Sequence, residues 1–133
     1  MPAIYPVFEQ PLKRGDAFNG NFISRHLRQL DEIATSTNTK LLSAFIDSGT
    51  MAREALDDDT LATISVPPVM WQDSNDGLRT VRAILSAIAE SGIRFESRRG
   101  DDTAACMKEL RQLEDLLASA VNEANRFHLL VDM

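Results

Sequence analysis

Apolar positions along the chain follow two spacings, one helical and one extended. Phe22, Ile23, Leu27, Leu30, Ile33 and Ala34 recur at i, i+3, i+4 and i+7, which predicts an amphipathic helix over residues 21–35. The side chains of Thr35 to Thr39 compete with helix for the backbone, so this helix ends there. A second, shorter helix is expected from Lys40, with Leu41, Leu42, Phe45 and Ile46 on one face and Gly49 as its stop. The clearest start signal is Asp73, a carboxylate able to accept from first-turn amides, reinforced by the negative charge of Asp76. Leu78, Val81, Ile84, Leu85 and Ile88 then run to Gly92 and predict a helix over residues 74–91. Met107, Leu110, Leu113, Leu117, Val121 and Ala124 predict the longest helix, capped by Asp101 or Asp102 and closed by a positive φ at Asn125.

The extended signals lie at the two ends. Ala3 to Phe8 is apolar, but Pro2, Pro6 and Pro11 remove backbone donors and confine it to an edge strand. Phe127, Leu129 and Val131 alternate with His128, Leu130 and Asp132 as in a strand. Unpaired backbone is costly to bury, so the terminal segments are expected to pair with each other. Residues 92–100, GIRFESRRG, read as a loop leaning on the core in preference to a short strand. Residues 50–56 suit further helical turns, Asp57 to Asp59 a new start, and residues 60–69 an irregular crossing imposed by Pro67 and Pro68. The expected fold class is mainly α: a compact helical domain of about four helices, with a short β-ladder made by the terminal segments.

A chain of 133 residues, 44% hydrophobic and 26% charged, has the balance of one globular domain, and residues 1–133 are read as such. A domain of this size buries roughly two thirds of its unfolded surface and folds without a staple. One cysteine excludes an intrachain disulfide, a cysteine zinc cage and a CxxC redox motif, which suits a reducing compartment. No apolar run approaches the ~20 residues of a membrane span, and MPAIYPVFEQPLKR lacks a basic region before an apolar signal core. A cytoplasmic location without membrane attachment is expected. The charge balance, 14 basic against 20 acidic residues for a net −6, disfavours nucleic acid and anionic lipid.

Candidate chemistry is sparse. Residues 73–77, DSNDG, imitate a calcium loop, but counting from Asp73 puts Gly77 fifth, Leu78 sixth and Ile84 twelfth, where an EF-hand needs glycine sixth and glutamate twelfth. Helix capping explains these residues better. His26 and His128 are the two histidines and are remote in sequence. In a strand His128 and Asp132 would share a face roughly 13 Å apart, too far for a direct hydrogen bond. His128 is therefore read first as a buried, backbone-bonded imidazole. Cys106, beside Ala104, Ala105 and Met107, reads as a core residue, since Asp101 and Asp102 would oppose a thiolate. Arg94, Arg98 and Arg99 form the densest basic cluster, balanced by Glu96, Asp101 and Asp102. The acidic run Asp47 to Asp59 sets five carboxylates against Arg53 and reads as a solvated face or as a surface for a basic partner. Glycine-rich phosphate loops, GxSxG, HExxH and dinucleotide fingerprints are absent from the sequence, and no cofactor or metal is expected.

The segment WQDSNDGLRTVRAIL, Trp71 to Leu85, the ending FHLLVDM, Phe127 to Met133, and the early IYPVFE together resemble a family of small uncharacterised bacterial proteins. That resemblance implies a stand-alone cytosolic domain and transfers no catalytic residue, although Thr80, Arg82, His128 and Asp132 match its pattern. The leading functional expectation is a non-enzymatic domain that binds a protein partner or forms a homo-oligomer. One alternative is a small-molecule binder or hydrolase whose cleft gathers Trp71, Asp73, Asp76, Arg79, Arg82 and His128, with carboxylate, guanidinium and imidazole groups orienting an anionic ligand. Another is an acidic immunity-type protein that masks a basic toxin by charge complementarity.

Overall fold

The strongest sequence signals become the longest helices of the structure, a computed structural model that describes residues 2–15, 17–47 and 70–132. Helix α3 spans Ser74–Ser91, using the label order β1 (Ala3–Phe8), α1 (Asn21–Arg25), α2 (Leu27–Ser36), α3, β2 (Glu96–Ser97), β3 (Gly100–Asp101), α4 (Thr103–Asn122) and β4 (Phe127–Asp132). Both ends of α3 carry their expected signals. The Asp73 carboxylate accepts from Asn75 N at 2.8 Å, and Gly92 stops the helix in the left-handed region at φ 63°. Leu78, Val81, Ile84 and Ile88 of α3 pack with Leu110, Leu113 and Leu117 of α4 in one buried cluster. That cluster also takes Ile4, Phe8, Phe127 and Leu129, so the core joins both ends of the chain.

β1 and β4 pair antiparallel, with Ala3 opposite Asp132 and Phe8 opposite Phe127, as the terminal segments were expected to do. Ile4 exchanges backbone hydrogen bonds with Gly20 on the outer side of β1. Pro6 shares that outward direction by alternation, so its missing N–H costs the ladder nothing and blunts the edge. On the other side of β4, Phe127 exchanges bonds with Gln72, and Leu129 O accepts from Asp47 N at 3.0 Å. Residues 127–130 are buried on both faces, and the simple alternation read from the sequence does not hold there.

The mainly helical class is corrected. Four α-helices among the described residues are joined by two small antiparallel sheets, a mixed α/β arrangement without a clear helical bundle. Periodicity registers helices well, whereas this ladder depends on backbone partners more than a hundred residues apart. Residues 95–102 also form a hairpin where a loop was expected: Asp102 N donates to Phe95 O at 2.6 Å, Glu96 and Ser97 face Asp101 and Gly100, and Gly100 takes φ 125°.

Three local expectations also change. The helix expected over residues 21–35 breaks at His26, whose φ of −109° and ψ of 20° separate α1 from α2. In place of a helix from Lys40 there is a 3-10 turn, Leu42–Phe45. Asp31 Oδ1 accepts from Ser43 N at 3.1 Å at its start, and Ile46 is drawn beside Leu129 at its end, so the chain becomes extended. The positive φ after α4 belongs to Ala124, at 53°. Asn125 is buried because its side chain closes two hydrogen bonds with the backbone of Gln10, at 3.0 and 2.6 Å. The readings for Gly49 and residues 50–69 lie outside the described residues. Asp47, at the head of the acidic run, is buried where a solvated face was one expectation.

Candidate functional site

Of the six residues proposed for one cleft, the structure brings Trp71 and His128 into contact. Their ring centroids lie 5.0 Å apart at 48°. His128 is 2% exposed, and its Nδ1 lies 3.2 Å from Leu129 O, which can only accept, so Nδ1 carries the proton. Asp73 is occupied as the cap of α3. Asp76 and Arg79 meet at 3.9 Å on an exposed stretch of α3, and Arg82 reaches across to Glu114 of α4 at 3.4 Å. These arginines serve surface pairing, each pair worth at most ~1 kcal/mol.

The buried polar chemistry sits elsewhere, at the junction of α1, α2 and the start of α4. His26 Nε2 lies 2.8 Å from Asp102 Oδ2, and Arg25 Nη1 meets the same oxygen at 3.2 Å. The His26 ring also rests 5.4 Å from that of Phe95. Asp102 is held below the usual carboxylate range, by the hydrogen bond with His26 above all, with burial opposing and Ser97 and Arg25 adding to the effect. An ionised carboxylate accepts and never donates, so the Nε2 proton of His26 lies toward Asp102. The bend at His26 follows: the side chain is tied to a group at the head of α4, while His26 N→Phe22 O and Leu30 N→His26 O carry the hydrogen-bond ladder across.

Glu109 is the second buried acid there. Its Oε1 accepts from Phe22 N and Ile23 N, both at 2.9 Å, so α4 supplies the N-terminal cap that Gly20 cannot give α1. Burial pushes the Glu109 carboxyl above its ordinary range, with the amides of Ile23 and Phe22 and the charge of Arg25 opposing. Cys106 is fully buried, and its thiol is pushed up to about 12, by burial first and then by the negative charges of Glu109 and Asp102. Alkylation by iodoacetamide at pH 8 should therefore be at least ~100-fold slower for the folded chain than in urea, because the thiolate is the reactive form. Comparable rates would show the thiol to be open to solvent.

Sequence reasoning missed Arg25, His26, Ser97, Asp102 and Glu109 as a group. Their one available signal was an imidazole on the apolar side of an amphipathic pattern, and nothing local paired it with Asp102.

Two concave surfaces flank these elements. A groove of about 400 Å³ runs along the outer side of α2 and is lined by Leu27, Arg28, Asp31, Glu32, Thr35 and Leu41. A cleft of about 260 Å³ is lined by Arg25, Ser97, Arg98 and Arg99. Among the described residues, no group of three His, Cys, Asp or Glu side chains is placed to hold a metal ion, and no helix is long and apolar enough to cross a membrane. No family model, curated protein or solved structure matches the chain.

Proposed function

We propose that this chain is a cytoplasmic, non-enzymatic interaction domain that receives a cationic, amphipathic segment of a partner protein in the groove beside α2. The observation that carries the reading is an apolar floor with a charged rim. Leu27 and Leu41 supply the floor, and Leu41 is one of few large apolar side chains left substantially exposed among the described residues, at 38%. The opposite side of α2, Leu30, Ile33 and Ala34, is committed to the core.

Charge chooses the occupant. Asp31 and Glu32 outweigh Arg28 on the rim, and the chain as a whole carries net −6. A second copy would bring the same excess, whereas a segment with lysine or arginine flanking a leucine matches both rim and floor. Glu32 is available for exchange: its pair with Arg28 spans 3.9 Å between side chains that are 96% and 70% exposed, which makes it weak. A groove of this length suits a short peptide-like segment and a transient complex, below the ~1,000 Å² of stable interfaces. The lone cysteine, buried as a thiol, accords with a reducing cytoplasm.

The test uses two helical peptides of equal length, one of leucine and lysine and one of leucine and glutamate, titrated into the labelled chain and followed by amide shifts. The lysine peptide should shift residues 27–41 and bind at least ~10-fold more weakly to the Leu41→Asp variant, the scale of a central interface residue. Equal binding of the glutamate peptide, unchanged binding by Leu41→Asp, or shifts confined to another face would overturn the reading.

A further inference from the structure

The cleft lined by Arg25, Ser97, Arg98 and Arg99 has a charge composition unlike the chain that carries it. Arg94, the remaining arginine of the hairpin, is paired with Asp101 at 2.9 Å, so that acid and that base cancel outside the cleft. Glu96 precedes Ser97 on β2 and points to the opposite side of the strand by alternation. Among the described residues, Arg98 and Arg99 form no ion pair. Three guanidinium groups thus surround the depression; Arg25 is engaged by Asp102 and also acts on the Glu109 carboxyl, so the two positive charges left without an ion pair among the described residues are those of Arg98 and Arg99. The arrangement is held in place from below. Arg25 is fixed by Asp102, Asp102 by His26, and the Ser97 hydroxyl accepts from the amide of Arg99 at 3.3 Å.

We propose that this cleft binds the dianionic phosphoryl group of a small phosphate monoester. Two uncompensated charges match a dianion, and the planar forks of arginine present paired N–H donors to phosphoryl oxygens. A carboxylate needs one such fork and would leave the remaining charge unanswered. At about 260 Å³ the cleft falls below the roughly 300–1,000 Å³ of sites that enclose a whole drug-sized ligand, so it takes a head group. A nucleic acid is a poor occupant, since the surrounding net charge of −6 repels a polyanion that extends beyond the cleft. The rest of the monoester has a place to lie: a second cleft of about 190 Å³, lined by Pro2, Asn21, Ser24 and again Arg25. The hydroxyl of Ser24 and the amide of Asn21 suit the hydroxyl groups of a short polyol or sugar.

The experiment is calorimetric titration of the full chain with glycerol 3-phosphate, inorganic phosphate and acetate in low-chloride buffer. Glycerol 3-phosphate should bind at a single site, at least ~10-fold more tightly than acetate. The double variant Arg98→Ala/Arg99→Ala alters an exposed turn and should keep the fold, checked by circular dichroism, while weakening binding at least ~10-fold. Arg79→Ala/Arg82→Ala removes the same charge from α3 and should leave affinity within about twofold, as expected for charges that make no contact with the ligand. Absence of saturable heat with either phosphate species would overturn the site. So would an equal loss in the two double variants, which would reduce the effect to general charge attraction. A preference for inorganic phosphate over glycerol 3-phosphate would overturn the role of Asn21 and Ser24 in holding the ligand's body.

Discussion

Glu109→Ala should lower the free energy of unfolding by about 2–3 kcal/mol, because it strips the acceptor from one buried and one partly buried amide at once. Phe22 N and Ile23 N both give their hydrogen bonds to this carboxylate, and Gly20, the residue before α1, offers no side chain to replace it. Five residues cannot sustain an isolated helix, so α1 depends on this cap and on its packing. Amide exchange at Phe22 and Ile23 should rise more than elsewhere in the variant. Glu109→Gln keeps an oxygen for both amides and separates hydrogen bonding from charge. The Glu109 carboxyl is raised above its ordinary value of 4.5 in the fold, so the stability it contributes is fully present below that value and is lost as pH rises through its folded pKa. The glutamine variant lacks this loss and should gain relative to the wild type as pH rises from the ordinary value through the folded pKa of Glu109. Asp102 runs the opposite way: its lowered pKa supports the fold above its ordinary 3.8 and fails as pH falls through the folded value. Urea unfolding of the wild type and the two Glu109 variants at pH 4.5 and 7.5 separates the hydrogen-bond and charge contributions of Glu109. A glutamine variant that parallels the wild type across this range would show that Glu109 carries no buried charge.

What could be read from the sequence was what is determined locally. Asp73 and Gly92 bracket α3 with signals that act within one turn, and the periodic leucines of α4 need no distant partner to be recognised. The pairing of the chain ends followed from the cost of burying unpaired backbone, which is local physics applied at two places. Two of the failures share one cause, a partner far along the chain. His26 interrupts a good helical pattern because Asp102 holds its ring, and Ala124 takes the positive φ expected of Asn125 because the Asn125 amide is engaged with Gln10. The hairpin at Glu96–Asp101 has two residues per strand, too few for alternation to register. The same distance effect governed the sites. Trp71 and His128 do meet, whereas Asp76, Arg79 and Arg82 are drawn to their own helix or the next one. The arginine cleft escaped notice because the hairpin's charges balance along the sequence. It is the addition of Arg25 from α1 and the pairing of Arg94 with Asp101 that unbalance them in space.

Gly77 is the sharpest case, and two opposed effects decide its substitution. Helix propensity alone favours alanine over glycine by about 1 kcal/mol within α3. Packing opposes it: a Cβ at Gly77 would stand 2.5 Å from Cζ and 2.7 Å from Cε1 of Phe127, with Leu117 Cδ1 at 3.4 Å. The ring has little room to retreat. Phe127 is 1% exposed, its ring centroid lies 5.3 Å from that of Phe45 and 6.4 Å from that of Phe8, and its backbone is bonded to Gln72. Overpacking of this kind costs about 1–3 kcal/mol or more and outweighs the propensity gain, so Gly77→Ala should destabilise by about 2 kcal/mol net. Thermal unfolding should shift down by roughly 5–10 °C. Phe127→Leu removes the two ring atoms that would collide, at a cost of about 1–2 kcal/mol for the lost packing. In that background the Cβ enters vacated space, the propensity gain survives, and Gly77→Ala should become neutral or stabilising. The four chains of this double-mutant cycle should therefore show a coupling of at least about 1 kcal/mol, whereas additive effects would mean that the close approach of α3 to β4 does not require glycine.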